Sequence, residues 1–296
     1  MTLILTVMSP YRMVQVSDRR LTLPGCRLYD DEANKAIVAS CDDAYFSVAY
    51  TGLARLRDRR TRKWTRTDEW AANTLWGIMQ RPGWWGIIDL YRAFAEEAEK
   101  TFDFTPVQLT RKRTTFVFTG FFVRTGDTTG FVGIMSNMRT TPAGGIKVVR
   151  EFDTQTVWSP APWMPYNELE LFIDGMVPAL YSKDAVAKAI NRRTQVIKRR
   201  LERVQRGSGN RNDGAVAKEL VKILRMASRH PQYGKYVGRD CMGVQINSET
   251  TDMVTDTYKE DSIEHNFPWV VSRDMVGTAS WSMTLEDGSD TTTVRR

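Results

Sequence analysis

The sequence predicts an α+β fold, a four-layer αββα sandwich in which two antiparallel sheets pack together and helices cover both outer faces. Two observations lead to this prediction. Segments with the alternation of half-buried strands occur in groups, and segments with the 3.6-residue period of helices lie between those groups. Along the 296 residues the order is strands, helices, strands, helices and strands. A single domain can hold all of these elements.

Four strands are predicted before the first helix. Residues 3–8 and 12–17 alternate in polarity, and Pro10 lies in the turn between them, which indicates a β-hairpin. Residues 36–39 and 44–50 are two further strand-like segments, joined by a short acidic turn. The chain is therefore expected to begin as β structure.

Two helices and a second group of strands follow. Thr67 opens a helical pattern that runs to Met79, and Pro82 and Gly83 separate it from a second helix over residues 86–102. Segments rich in β-branched and aromatic residues then predict an antiparallel meander. Its strands are expected at residues 114–123, 130–135 and 146–150.

Three further helices are predicted in the second half of the chain. Their periodicity covers residues 166–177, 183–206 and 213–229. Strand-like segments then return at residues 241–246 and 253–257.

We predict one domain over residues 1–258 and a C-terminal extension over residues 259–296. The extension contains a last apolar piece, residues 279–285, and ends in a polar tail. Polar chain termini are usually poorly ordered, so we expect this extension to be partly mobile.

The composition favours a soluble globular protein, with 42% hydrophobic residues. No apolar run reaches the roughly 18 to 20 residues that span a bilayer, and no signal peptide is recognisable, so we expect a cytoplasmic protein. The three cysteines lack metal-binding spacing, and the chain has 2 histidines. We therefore expect reduced thiols, no metal site and no cofactor.

The formal net charge is +7, and two segments concentrate the basic residues. The first is Arg55–Arg66, which includes Trp64, and the second is an amphipathic helix with a basic face between Lys188 and Arg206. Arginines with an interleaved aromatic residue could neutralise phosphates and stack on bases, so nucleic-acid binding is one hypothesis. Solvated basic faces are also common in ordinary proteins, and Glu202 interrupts this one.

Thr2 follows the initiator Met1 and starts the first predicted strand. A terminal threonine carries a hydroxyl nucleophile and an α-amine on one residue, so the amine can serve as the general base. The α-amine has an ordinary pKa of about 8, and a nearby lysine ammonium would lower it. Lys35 is the candidate for that neighbour. The other interpretation of Thr2 is an ordinary strand residue.

Several residues near the N-terminus occur in a recognisable order. Asp18 comes sixteen residues after Thr2 and opens the segment Asp18-Arg19-Arg20-Leu21-Thr22, Lys35 precedes the next strand, and Gly52 follows the fourth. This order resembles the proteasome-type branch of the N-terminal nucleophile (Ntn) hydrolases, the proteasome β-subunit-like family. The resemblance covers roughly residues 2 to 250, and its later half lies in the order of the elements.

The resemblance implies a role for each of these residues. Thr2 would be the nucleophile, and its own amine would transfer protons once Met1 is removed. Asp18 would pair with Lys35, whose ammonium favours the deprotonated nucleophile. The backbone amide of Gly52 would stabilise the oxyanion of the reaction.

Other positions would support or line the site if the resemblance holds. Arg20 would hold the neighbouring loop, and Thr22 would offer backbone hydrogen bonds to an extended peptide. Leu21, Tyr50 and Ala54 would bind the substrate by their family position.

The sequence departs from the family pattern at two places. Asp240 matches a late aspartate of the family, but the serine that follows that aspartate in the family is missing here. Ser159, in a segment with two prolines, is the candidate for a second nearby serine. The proton relay of the family is therefore altered in this chain.

The leading hypothesis is a threonine-type peptidase or amidohydrolase that acts on peptide or protein substrates. By resemblance it would form a homo-oligomer and could work with an unfoldase or another protein partner. The alternative keeps the fold without the chemistry, as a non-catalytic scaffold that binds a partner. A further hypothesis is that the loop from Arg55, just after Gly52, brings acidic peptides to the site.

Overall fold

The structure is a computed structural model of the 296-residue chain. It describes residues 2–9, 12–23, 27–102, 113–124, 127–140, 146–158, 170–175, 192–193, 195–197, 199, 213–231, 234–248, 253–259, 262–264, 266–274, 276–282 and 291–295.

Eight strands and two helices make up the first part of the chain. They are β1 (Leu3–Met8), β2 (Arg12–Asp18), β3 (Leu21–Leu23), β4 (Arg27–Asp30), β5 (Ala36–Cys41), β6 (Ala44–Thr51), β7 (Arg55–Arg57), β8 (Trp64–Arg66), α1 (Thr67–Met79) and α2 (Ile87–Thr101).

The remaining described elements are mostly strands. They are β9 (Thr115–Arg124), β10 (Asp127–Thr140), β11 (Ile146–Trp158), β12 (Glu170–Gly175), α3 (Asp213–Ser228), β13 (Cys241–Asn247), β14 (Met253–Tyr258), β15 (Ile263–Glu264), β16 (Asn266–Val271), β17 (Val276–Ser282) and β18 (Thr291–Arg295).

Two large sheets dominate the fold. One has six antiparallel strands in the order β12-β1-β2-β13-β14-β15. The other has eight strands in the order β11-β10-β9-β6-β5-β16-β17-β18, and only the β5–β16 pair within it is parallel. The predicted β1–β2 hairpin is therefore present in the six-stranded sheet, and the β5–β6 pair and the predicted meander β9–β10–β11 lie together in the eight-stranded sheet.

Three hydrophobic clusters hold these elements together. The first lies between α1, α2 and the eight-stranded sheet, where Trp70 packs against Phe94 and Phe102 with ring centroids 5.2 and 4.9 Å away. The second joins α3 to the six-stranded sheet. The third combines residues of both sheets, among them Ile4 and Val117. Burial of these apolar faces is the main stabilising contribution to such a fold.

Two short hairpins were not anticipated from the sequence. β3 pairs with β4, and β7 pairs with β8, so eight strands precede the first helix instead of the predicted four. The β7–β8 hairpin lies in the basic segment Arg55–Arg66, and Leu56, which is 2% exposed, anchors it in the core. Strands of three or four residues are too short to show a readable alternation in the sequence.

The helix predicted at residues 166–177 is wrong for its described part. Residues Glu170–Gly175 form β12, the strand that pairs with β1. A short apolar run has no clear period, and an available partner strand decides its conformation. Of the helix predicted at residues 183–206, positions 192–193, 195–197 and 199 are helical, and the other positions lie outside the described residues.

The strands after residue 258 are joined to both sheets. β15 extends the six-stranded sheet, and Trp269 in β16 lies opposite Ile37 in β5. β17 and β18 continue from β16. The division at residues 258 and 259 stays a prediction. No helix among the described residues is long and apolar enough to cross a membrane.

Candidate active site

Thr2 lies directly before β1 and is 2% exposed. Its backbone N–H donates to Thr51 Oγ1 at 2.9 Å, and the Thr51 hydroxyl in turn donates to the Thr2 carbonyl at 3.0 Å. Thr51 is the last residue of β6. A strand of the eight-stranded sheet therefore fixes the backbone of a residue that begins the six-stranded sheet.

Lys35 connects the three polar groups at the centre of the site. Its Nζ lies 2.5 Å from Thr2 Oγ1 and 3.1 Å from Asp18 Oδ1, and it also donates to the carbonyl oxygen of Arg20. The side chains of Lys35 and Asp18 are both 0% exposed. The ammonium thus lies in a dry site between the hydroxyl and a carboxylate.

The Asp18 carboxylate is held by backbone donors as well as by Lys35. Leu3 N–H donates to Oδ2 at 2.8 Å, while Arg20 N–H and Gly238 N–H donate to Oδ1 at 3.0 and 3.2 Å. These donors satisfy a buried carboxylate that would otherwise be costly to desolvate. The position of the carboxylate is therefore fixed by three separate chain segments.

Burial and charge act in opposite directions on Lys35. Desolvation lowers the pKa of its ammonium below the ordinary 10.5, while the nearby Asp18 carboxylate favours the charged form. A lysine with a lowered pKa releases a proton more readily, and its contact with the hydroxyl places it to assist deprotonation of Thr2. The geometry is that of an activated hydroxyl nucleophile.

Arg20 holds the loop that leads to Lys35. Its guanidinium makes a two-pronged contact with Asp31, at 2.8 Å from Nε to Oδ1 and 3.0 Å from Nη2 to Oδ2. This contact holds the pKa of Asp31 below its ordinary value. Thr22, the middle residue of β3, lies opposite Leu28 of β4.

Gly52 follows β6 with a φ of +111°, in the left-handed region that favours glycine. A Cβ at this position would lie 1.8 Å from the carbonyl oxygen of Arg113, so no other residue fits without a backbone shift. This turn directly follows Thr51, the residue that hydrogen-bonds to the backbone of Thr2.

Asp240 lies directly before β13, and its backbone carbonyl accepts a hydrogen bond from Arg19 N–H at 3.0 Å. Burial raises the pKa of the Asp240 carboxyl. The Asp18 carboxylate is instead bound by Lys35 and by the backbone N–H groups of Leu3, Arg20 and Gly238. Ser159 and Met1 lie outside the described residues.

The three residues predicted to bind substrate lie in the hydrophobic core. Leu21 is 4% exposed, Tyr50 is 1% exposed and Ala54 is 5% exposed. The phenol oxygen of Tyr50 is buried and has no hydrogen-bond partner within the described ranges of the chain. Their role in substrate binding stays a prediction, since it needs a pocket that opens onto these side chains.

Sequence reasoning missed two residues of this site. Thr51 forms hydrogen bonds with both backbone groups of Thr2. The Gly238 N–H donates to Asp18, and a Cβ added at Gly238 would lie only 2.9 Å from the Cβ of Arg20. A hydroxyl next to the Gly52 turn was a readable signal for Thr51. Nothing in the sequence connects Gly238 to an aspartate 220 residues earlier.

Neither a protein-family model nor a curated protein sequence matches this chain. Its structure is nevertheless similar to those of proteasome β-subunit-like Ntn hydrolases, at low sequence identity. Similar structures are an Anbu (Gly-1) mutant from Hyphomicrobium sp. strain MC1 (12% identity, 88% of this chain and 89% of that chain, TM-score 0.46), Anbu (ancestral β-subunit) from Yersinia bercovieri (11%, 88% and 88%, 0.44) and HslV from Trypanosoma brucei (12%, 83% and 99%, 0.36).

The similarity concerns the fold, an α+β arrangement of sheets and helices as in Ntn-hydrolase structures. Among the described residues, no group of three or more histidine, cysteine or acidic side chains is placed to hold a metal ion.

Proposed function

We propose that the protein is an N-terminal threonine amidohydrolase, a proteasome-like peptidase in which Thr2 becomes the nucleophile after removal of Met1. The observation that carries this proposal is the contact of Lys35 Nζ with both Thr2 Oγ1 and Asp18 Oδ1 in a fully buried position. Burying an ion pair costs free energy. The Asp18–Lys35 pair is buried in contact with the hydroxyl of Thr2, the residue that becomes the chain terminus once Met1 is removed, and this supports a functional role for the pair.

The reaction begins with attack of Thr2 Oγ1 on the substrate carbonyl carbon. The hydroxyl proton passes to the free α-amine, assisted by Lys35, and the carbonyl oxygen becomes an oxyanion that the Gly52 amide stabilises. The amine then returns the proton to the leaving nitrogen as the C–N bond breaks, which leaves an ester on Thr2. Water hydrolyses this ester and regenerates the threonine.

Removal of Met1 is essential to this mechanism. In the intact chain the nitrogen of Thr2 is an amide, which cannot take up the proton. The N–H of that amide donates to Thr51, and a free amine at the same place could keep this contact.

We extend the proposal to the layer arrangement, the assembly state, the location and the partners of the protein. The three hydrophobic clusters support a four-layer αββα arrangement of the helices and sheets. A homo-oligomer in the cytoplasm, with a possible unfoldase or other protein partner, completes the proposal.

The test combines the mature N-terminus with hydrolysis of peptides. Mass spectrometry of the purified protein is expected to show Thr2 as the first residue. Thr2→Ala should abolish cleavage of a fluorogenic peptide, whereas Thr2→Ser should retain part of it because the hydroxyl and amine remain. An intact Met1, or full cleavage by Thr2→Ala, would overturn the proposal.

A second candidate is a non-catalytic scaffold of the same fold. The burial of Thr2 favours it, because 2% exposure leaves little access for a substrate. A threonine-directed covalent inhibitor separates the two functions. The enzyme should acquire one adduct at Thr2, and the scaffold should acquire none in any assembly state.

A further inference from the structure

An exposed surface of aromatic and basic side chains lies beside the candidate active site. It is formed by the two short hairpins, β3–β4 and β7–β8. Leu28 is 54% exposed, Tyr29 is 38% exposed and Trp64 is 57% exposed. We call the surface made of Leu28, Tyr29, Arg55, Arg57 and Trp64 the basic platform.

The register of β7 and β8 puts the basic residues on one face. Leu56 points into the core at 2% exposure, so its neighbours Arg55 and Arg57 point the other way. Arg57 lies opposite Trp64, and Arg55 lies opposite Arg66. Three arginines and a tryptophan therefore share the outer face of this hairpin.

Arg55 lies over two aromatic rings. Its guanidinium carbon lies 5.6 Å from the centre of the Tyr29 ring and 5.7 Å from the centre of the Trp64 ring. Stacking uses the faces of a guanidinium and leaves its in-plane N–H groups available. Within the part of the chain that the structure describes, Arg55 forms no ion pair, so these donors suit a carboxylate from outside.

The platform is connected to the candidate active site along the chain and through contacts. Arg66 forms an ion pair of 3.2 Å with Asp30, and Asp30 lies opposite Leu21, the first residue of β3. Arg55 follows Gly52 by three residues, a stretch that spans at most about 11 Å. One extended ligand can therefore reach both places.

We propose that the basic platform binds acidic side chains of polypeptide substrates, with Arg55 as the carboxylate receptor. This inference rests on the proposed function, because the ligand is taken to be the substrate of Thr2. A continuous polyanion fits less well, since Asp31 and Glu32 follow β4 and Asp58 follows β7. These carboxylates would repel a phosphate chain, whereas one acidic side chain needs only Arg55.

The geometry gives the expected position of the acidic residue. An extended peptide advances about 3.3 Å per residue, and the platform lies within about 11 Å of Gly52 plus the length of an arginine side chain. The acidic residue should therefore be about three to five residues from the cleaved bond.

Binding can be measured without catalysis by fluorescence anisotropy of a Thr2→Ala chain. The probes are a labelled peptide with glutamates at those positions, the same peptide with glutamines, and a single-stranded oligonucleotide. The glutamate peptide should bind about threefold to tenfold more tightly than the glutamine peptide, and about 0.5 M salt should reduce that ratio.

Variants at two arginines of the same hairpin test the receptor. Arg55→Gln should bring the ratio close to one, and Arg55→Lys should restore only part of it because the planar fork is lost. Arg59→Gln removes the same charge from an exposed turn residue outside the platform and should leave the ratio intact. Equal ratios in all variants, or oligonucleotide binding that depends on Arg55 while the peptides fail to bind, would overturn the inference.

Hydrolysis distinguishes this inference from the proposed function. With Thr2 present, a preference for glutamate should appear in KM and should disappear in Arg55→Gln. If neither peptide is cleaved but the glutamate peptide still binds through Arg55, the proposed function fails and the receptor remains. If both peptides are cleaved equally by every variant, the receptor fails and the proposed function remains.

Discussion

Replacing Asp18 with asparagine should destabilise the protein more than replacing Lys35 with methionine. Asp18→Asn leaves the buried lysine without its counter-charge, and it also puts an amide NH₂ opposite a backbone donor, because N–H groups point at both carboxylate oxygens. Lys35→Met leaves a carboxylate that still accepts three backbone hydrogen bonds. The two changes are therefore unequal, although they break the same pair.

The expected magnitudes follow from burial. Breaking a fully buried ion pair at one partner costs about 3 to 5 kcal/mol, which we expect for Asp18→Asn. The three remaining donors should limit the cost of Lys35→Met to about 1 to 3 kcal/mol. In a chain of this size each kcal/mol lowers Tm by roughly 2 to 3 °C, so Asp18→Asn should lower it by about 6 to 15 °C.

Thermal and urea unfolding of both single variants and the double variant form the assay. The double variant contains no unpaired charge, so it should be more stable than the sum of the single costs implies, by at least about 1 kcal/mol. Arg81→Met is the matched control, since it breaks the exposed Arg81–Glu97 pair at 2.7 Å and should cost less than about 1 kcal/mol. Strictly additive costs, or an unchanged Tm for Asp18→Asn, would refute the reasoning.

Three other predictions concern the surroundings of the pair. Thr51→Val should lower the initial rate of hydrolysis at least about tenfold, because valine lacks the hydroxyl that hydrogen-bonds to the backbone of Thr2. Thr51→Ser keeps a hydroxyl and should lower the rate much less. Gly52→Ala should cost more than about 2 kcal/mol in urea unfolding, whereas Gly77→Ala, in a helix with open space around it, should not destabilise the protein. Hydrogen bonds from Arg20 hold the pKa of Asp31 below 3.8, so their stabilisation is present above that pH and is lost as the pH falls below it. Asp31→Asn should remove this loss from the acid-unfolding curve, and an unchanged curve would contradict the assignment.

Much of the strand and helix order could be predicted because the elements carry strong local signals. The apolar run of β1, the apolar and polar residues of β2 and the periodic apolar face of α2 are long enough to be read directly. The segment Glu170–Gly175 could not be read in this way, because pairing with β1 decides its conformation. The hairpins β3–β4 and β7–β8 could not be predicted either, because their strands are only three or four residues long.

The candidate site was predictable to the extent that its residues are close in sequence or match a family spacing. Thr2, Asp18 and Lys35 fall within the first 35 residues, and the resemblance to the family implied the pairing of Asp18 with Lys35 that the structure contains. The Gly238 donor could not be found, since β13 returns beside β2 only in the folded chain. Contacts made by backbone groups leave no residue preference that a single sequence would reveal.

The alignment of the site depends on polar contacts that lie away from it. Gln15 in β2 accepts from Ser47 in β6 at 2.8 Å and donates to Thr119 in β9 at 3.0 Å, so it joins the two large sheets through a buried hydrogen-bonded group. Asp18 lies three residues further along β2, and Thr51 lies four residues further along β6. The contacts of Gln15 fix the relative register of the two strands that carry these residues. A shift between the sheets would break buried hydrogen bonds and also separate the two sets of groups that hold the N-terminal threonine, so stability and site geometry depend on one interface.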